Sequence, residues 1–425
     1  MGIFLPVCSG AGLNLIPSPP PESMLVSVAS CGTVASTMTI QELIKLSEAR
    51  KIFLDNGMFT FFRKLEKGER VIFDNSRPIY PRGVAMNLTG IHAIEAAVAL
   101  RPHVLIVTDL PVPKMKEPYD HGDQELRFMT TTYHNLIRAK EVSQLRAEYC
   151  PDVELYYTFQ GYNLNQIERV MKELNGLQFE GYCLATRALP WNKLIAMMLM
   201  LHCYGARKIH VLAGSNMPIM AVGAFMARHI FEEVSYDSSN WLYFALKGTF
   251  RFFGSMGTAR AIKQVDIPKH VLSLTCDCLH CQGRSLNDIR EMEHGREKQR
   301  LLALHNYYIE TKSAKALYEH SETPAMLRDF LLAKSHREKL INEMYEALSG
   351  IYEMRAFLGD DKFTKGLAEY IFNRFKARKR NRAVPNPSSP YAEGGERSGL
   401  GIATMPLIRA APFNYLTRIS GGIEH

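Results

Sequence analysis

The chain has 425 residues, 46% of them hydrophobic and 22% charged, enough to bury a large core as one large domain or two to three ordinary ones. It holds no apolar run of about 18 residues, which argues against a membrane span, and its start, MGIFLPVCSGAG, lacks the basic-then-apolar signature of a secretory signal. A net charge of +8 and a pI near 8.9 suit a polyanionic partner without requiring one.

Short apolar runs alternate with helical patterns along much of the first 275 residues. The runs Leu25–Ala29, Lys51–Asp55, Val104–Asp109, Leu155–Gln160, Gly181–Ala185, Ile209–Ala213, Val234–Asp237 and Val271–Leu274 read as strands. Several are rich in the Val, Ile, Leu and Tyr that buried parallel strands require. Between them Ile40–Ala49, Gly90–Leu100, Asn165–Leu174, Trp191–Tyr204 and Met217–Phe231 read as helices. Eight strands with helices between them, over about 250 residues, predict an α/β fold, a (β/α)8 TIM barrel.

Four of these strands close on a polar residue: Asp55, Asp109, Gln160 and Asp237. On a barrel such strand ends point to the C-terminal face, where catalysis sits. One carboxylate there is an ordinary loop cap; three carboxylates and an amide at four strand ends read as a site. His210 in IHVLAG reads as a core or loop histidine, not a catalyst.

Five of the eight cysteines are scattered, and three cluster as Cys276-Asp-Cys278-Leu-His-Cys281. A tight cluster of this kind reads as metal binding and not as disulfides. Three thiolates and one imidazole would make a closed tetrahedral zinc site that staples a loop and leaves no position for a catalytic water. His280, His294 and His305 all compete for the fourth position. The expected organisation is a barrel over 1–275, a metal-binding subdomain over 276–310 and a helical part over 311–382 that completes or flanks the barrel. A Pro/Gly/Ser-rich tail over 383–425 follows. Arg374, Lys376, Arg378, Lys379, Arg380 and Arg382 form a basic cluster just before that tail.

A Cys-x-Cys-x-x-Cys loop with a His some two dozen residues later resembles that of the tRNA-guanine transglycosylases. Asp55 in FLDNGMF resembles the general acid/base of that family, and Asp109 in IVTDLPVP an aspartate that hydrogen-bonds the base. Gln160-Gly161 in YYTFQGY is similar to the Gln-Gly pair whose glutamine also reads the base. GYCLATRAL, from Gly181, resembles a segment whose backbone lines the base pocket, and Asp237 in VSYDSSNW resembles the nucleophile. The resemblance covers roughly residues 25–310 and favours His305 as the fourth zinc ligand. Asn56 stands where the family has Ser, and Ala185-Thr186 where it has Gly-Gly, so an altered base pocket is expected. Helical sequence follows the metal loop in place of the archaeal type of RNA-binding domain. These departures make the chain look closest to the DpdA-type DNA-guanine transglycosylases of bacteria and phages.

The resemblance implies a pentosyltransferase that exchanges guanine in DNA for a 7-deazaguanine such as preQ0, by two displacements through an aspartyl–sugar ester. The expected partners are DNA, a free 7-deazaguanine base and accessory DNA-modification proteins, with no membrane. The expected location is the cytoplasm of a bacterial or phage-infected cell. Phe59, Phe61, Phe62, Tyr162, Trp241 and Tyr243 are candidates to stack on bases, although core packing is the favoured reading for most of them. Arg63, Lys64, Lys247, Arg251 and Arg260 are candidates to contact phosphate. A tRNA substrate is the first alternative. A non-catalytic, zinc-stabilised nucleic-acid-binding subunit is the second.

Overall fold

The computed structural model describes residues 2–9, 21–27, 49–55, 90–107, 109, 121–161, 163–185, 189–251, 276–293, 295–335 and 337–375. Eight parallel strands close into a ring in chain order: β1 (Ile3–Ser9), β2 (Ser23–Ser27), β3 (Lys51–Asp55), β4 (Val104–Ile106), β5 (Glu154–Phe159), β6 (Gly181–Ala185), β7 (Lys208–Leu212) and β8 (Glu233–Ser238). Pairing of β1 with β8, from Ile3 opposite Glu233 to Cys8 opposite Ser238, closes the barrel.

The expected barrel is therefore present, with one strand assigned differently. Its first strand is Ile3–Ser9, and the ring closes without Val271–Leu274, which lies outside the described residues. Pro6 hides the first strand, because proline cannot donate to a ladder and demotes an apolar run. Here its carbonyl accepts the Ser23 hydroxyl at 2.8 Å. The strand expected over Val104–Asp109 ends at Ile106. The helix expected over Ile40–Ala49 falls almost wholly outside the described residues.

Alternate strand residues fill the barrel. Leu5, Val7, Leu25, Phe53, Val104, Ile106, Tyr156 and Cys183 form one interior cluster, as the two-residue period of a strand demands. Gly181 makes room in it: a Cβ there would lie 2.5 Å from the Tyr156 ring. Beneath this apolar layer the first residues of β3, β5, β7 and β8 form an ionic floor. Lys51 Nζ lies 2.6 Å from Glu233 and 3.6 Å from Glu154, and Lys208 pairs with Glu154. Burial works to raise the Glu154 carboxyl, but the Lys208 and Lys51 ammoniums win and hold it below its usual range.

Helices wrap the ring. After α1 (Gly90–Leu100), α2 (His121–Tyr149) and α3 (Leu164–Glu173) come α4 (Trp191–Cys203) and α5 (Met217–His229), both buried nearly all round. A helix apolar on every side needs a second cover. It is supplied by α11 (Asp361–Arg374) over α4 and by α8 (Arg296–His320) over α5. The short α6 (Asn240–Leu246) and α7 (Leu286–Glu291) flank the cysteine loop. Thr323 caps α9 (Pro324–Lys334), and α10 (Glu338–Met354) follows after a break. Among the described residues no helix is long and apolar enough to cross a membrane.

Candidate active site and metal centre

Asp55 ends β3, Ala185 ends β6, Asp237 is the penultimate residue of β8 and Gln160 directly follows β5. Each is two or four residues beyond an inward-facing Phe53, Cys183, Ser235 or Tyr156, so all four share the inward parity of the strands. Because the strands are parallel, all four sit on one rim, the C-terminal one. Asp109 follows β4 outside the regular alternation and joins the group through its carboxylate, to which Gln160 Nε2 donates. Deep below, the fully buried Cys183 thiol is pushed well up, by burial first and then by the carboxylates of Asp109, Asp55 and Asp237. Three carboxylates, two on strands and one past the end of β4, thus act on one buried thiol. Gly161 is buried beside Gln166, Gly181 lies at the opposite end of β6 from the rim, and Thr186 lies outside the described residues.

Asp237 is held by the turn that follows β7. Its Oδ1 accepts the Ala213 N–H at 2.9 Å, and its carbonyl accepts the Gly214 N–H at 3.0 Å. Ala213 has φ 57°, a conformation that L-residues adopt at a cost. Gly214 has no alternative, since a Cβ there would meet Val211 Cγ1 at 2.7 Å. On the other flank, Ser238 Oγ donates to Ser215 Oγ at 2.6 Å, and Asn240 donates to both hydroxyls. The start of α6 is thereby tied to the same turn.

Two residues near the site carry no motif. Arg138 on α2 is mostly buried; burial draws its guanidinium down, while the charges of Asp109 and Glu141 oppose that. Nothing but the helical pattern of α2 marks it in the sequence. His210 on β7 is completely buried, with Nε2 3.4 Å from Asp237 Oδ1. The expectation of a core histidine is right about its burial but misses its neighbour.

The four predicted metal ligands converge. The ligand atoms of Cys276, Cys278, Cys281 and His305 all lie within 4.8 Å of one another. His305 Nδ1 is 3.3 Å from the Cys276 sulfur and 3.4 Å from those of Cys278 and Cys281. Tetrahedral zinc with ordinary bond lengths sets nitrogen and sulfur about 3.5 Å apart, so the donor set fits the ion. Within the described residues His305, and not His280, completes the cluster; His294 lies outside them. The other ring nitrogen, Nε2, faces the Arg251 carbonyl at 2.9 Å, the outer partner that orients a metal-bound imidazole.

The helix that carries His305 also grips the chain leaving Asp237. Asn306 Oδ1 accepts the Arg251 N–H at 2.9 Å, and its Nδ2 donates to the carbonyls of Trp241 at 3.2 Å and Thr249 at 2.9 Å. One turn on, Glu310 pairs with the Arg251 guanidinium. Burial pushes the Glu310 carboxyl up to about 7, with Arg251 opposing and the charge of Asp237 adding to the rise. Arg251, expected at phosphate, is thus engaged inside the protein, and Trp241 packs edge-on to Tyr307 in the core instead of offering a face to a base. Lys247 sits over the exposed Tyr243 ring at 4.2 Å. Phe59, Phe61, Phe62, Arg63, Lys64, Tyr162 and Arg260 lie outside the described residues.

The family model described as queuine tRNA-ribosyltransferase matches residues 28–320, a span that holds β3 to β8, the metal cluster and all of α8. The chain belongs to this family. Membership supports guanine transglycosylase chemistry, a pentosyl transfer, as the class of activity. No curated protein matches the chain.

Proposed function

We propose that this chain is a DNA-guanine transglycosylase that replaces guanine in DNA by a 7-deazaguanine, preQ0 or a relative of it. The observation that carries the reading is the gathering of Asp55, Asp109, Gln160 and Asp237 on one rim of one barrel. Asp237 attacks C1′ while the C1′–N9 bond breaks, giving an aspartyl–sugar ester. Asp55 gives its proton to the departing guanine and later takes the N9 proton of the incoming base, whose nitrogen displaces the ester. Asp109 accepts from the N1–H and the exocyclic amine, and Gln160 donates to O6. A 7-deazaguanine keeps this edge, so one pocket serves both bases. The end of β6, with Ala185 and Thr186, is the place for the 7-substituent.

A duplex hides both C1′ and the base edge, so the nucleotide is flipped out or taken from a single strand, at about a few kcal/mol. Accessory DNA-modification proteins are a natural source of such opening. The metal is structural Zn2+, because four protein ligands leave no open position. It would sit between Cys276, Cys278, Cys281 and His305 and keep the cysteine loop docked on α8.

The DNA branch rests on Asn56, Ala185-Thr186 and the helices that follow the metal loop. The description of the matching family favours tRNA instead. The test is base exchange with labelled guanine on DNA and on tRNA, followed by nucleoside analysis of both polymers from cells with and without the active chain. A deoxy-7-deazaguanosine confined to DNA supports the reading. Modification of tRNA alone replaces it with the tRNA enzyme, and nucleic-acid binding without exchange on either polymer replaces it with a non-catalytic subunit.

A further inference from the structure

His210 projects into the barrel directly beneath the rim. It is fully buried, its ring stacks on Phe53 at 5.0 Å and 28°, and its Nδ1 lies 2.9 Å from Ser235 Oγ. Its Nε2 has no hydrogen-bond partner of normal length, and Asp237 Oδ1 stands 3.4 Å away. Ser235 and Asp237 are alternate residues of β8, so one strand presents both partners to one imidazole.

The tautomer follows from these neighbours. A carboxylate oxygen and a bare ring nitrogen would set lone pair against lone pair, so Nε2 carries the hydrogen. Nδ1 is then the acceptor, and the Ser235 hydroxyl donates to it. A buried N–H without a full partner has a strong tendency to close on the nearest acceptor. Asp237 Oδ1 is that acceptor, and it already takes the Ala213 N–H at 2.9 Å.

We propose that His210 is a positioning residue for Asp237. With Ala213 it occupies Oδ1 and leaves Oδ2 as the oxygen that attacks C1′. This rests on the reading of Asp237 as nucleophile and adds to it which oxygen reacts and why. In the first displacement Oδ2 forms the ester bond as C1′–N9 breaks, and Oδ1 becomes the ester carbonyl. In the second, the C1′–Oδ2 bond breaks, the carboxylate is restored and its charge returns. Donors fixed on Oδ1 are aimed where charge develops in the second displacement, as the carboxylate leaves C1′, and that is the step whose barrier they lower; in the first displacement their part is to orient the carboxylate. They also prevent the carboxylate from rotating.

The experiment compares His210→Phe, His210→Gln, Ser235→Ala and Asp237→Ala with the parent chain. It uses labelled guanine and whichever of DNA or tRNA the parent chain modifies. His210→Phe keeps a ring against Phe53 and removes the donor, whereas His210→Gln loses the ring and restores an N–H. The expected result for His210→Phe is a fall in kcat of about 10- to 100-fold with little change in KM. His210→Gln should recover a large part of it, and Ser235→Ala, which frees the tautomer without emptying the barrel, should lose less. Phe equal to or better than Gln, or a parent-like Ser235→Ala, overturns the proposal while the nucleophile stands. Covalent adduct that persists in Asp237→Ala overturns the underlying reading instead. Nitrogen-15 NMR of the unliganded chain tests the arrangement without activity: His210 protonated on Nδ1 and bare on Nε2 would also sink it.

Discussion

Gln160 donates its side-chain amide to the carboxylate of Asp109, so the segments that follow β4 and β5 are joined. The Arg138 guanidinium is close enough to feel the charges of Asp109 and Glu141. On the proposed reading the Asp109–Gln160 pair offers an acceptor and a donor to one base edge. Replacing Asp109 by Ala should leave the Gln160 amide without its anion and the Arg138 guanidinium with Glu141 alone. The expected loss in kcat/KM for the base is about 100-fold or more, with much less change in nucleic-acid affinity, measured by steady-state exchange and by filter binding.

Asp237 and Asp55 should separate cleanly in kinetics. Asp237→Ala should abolish the covalent adduct, read by denaturing electrophoresis, and leave nucleic-acid binding intact. On the proposed mechanism Asp55→Asn should still form some adduct but exchange bases at least about 100-fold more slowly, because general acid–base help of that size would be removed. An adduct in Asp237→Ala would mean that another residue is the nucleophile.

The metal cluster should matter at a distance. His305 faces the cysteines with one nitrogen and the Arg251 carbonyl with the other, while Asn306 and Glu310 hold Arg251 from the same helix. On the proposed reading Cys281→Ser, or chelation of the parent chain, should therefore release the metal, expected to be zinc by elemental analysis, and lower the melting temperature. It should also slow exchange by about 10-fold, because the segment from Asp237 to Arg251 loses its anchor.

The ionic floor of the barrel has a predictable pH response. Glu154 is held below its usual range and Lys208 above its own. The stability contributed by the Glu154 carboxylate is present above its unfolded pKa and fades as pH falls through the lower folded value. That of Lys208 is present below its unfolded pKa and fades as pH rises through the higher folded one. Lys208→Met should cost about 1–3 kcal/mol at neutral pH. The gap between parent and variant in denaturant titrations should shrink in acid, below about pH 4. A gap independent of pH would show that the loss is one of packing.

Much of the barrel was legible because strands and helices carry different periods. Lys51–Asp55 and Gly181–Ala185 were read to the residue, since a run of buried apolar side chains ends there on a polar or small one. The cysteine cluster was legible because its three thiols come from one loop, whereas His305 was singled out from His280 and His294 only through the resemblance to the family. β1 was not, because Pro6 interrupts its pattern. His210 shows a deeper limit. IHVLAG is the same string whether the imidazole lies among aliphatic neighbours or under a carboxylate, and only the register that sets β7 beside β8 decides. Arg138 is likewise one charge on a long helix until the fold brings it near Asp109.

The filled interior and ionic floor have a kinetic corollary. Among the described residues Phe53, Tyr156 and the charges beneath them fill the barrel below the rim where the acids stand, so on the proposed reading both bases use that rim. On the proposed reaction, the outgoing purine must vacate that rim before its successor can enter, while the sugar waits as an ester on the protein. Ping-pong behaviour follows, with free guanine competing directly against the incoming base, so the enzyme's direction would be governed by the relative abundance of the two bases.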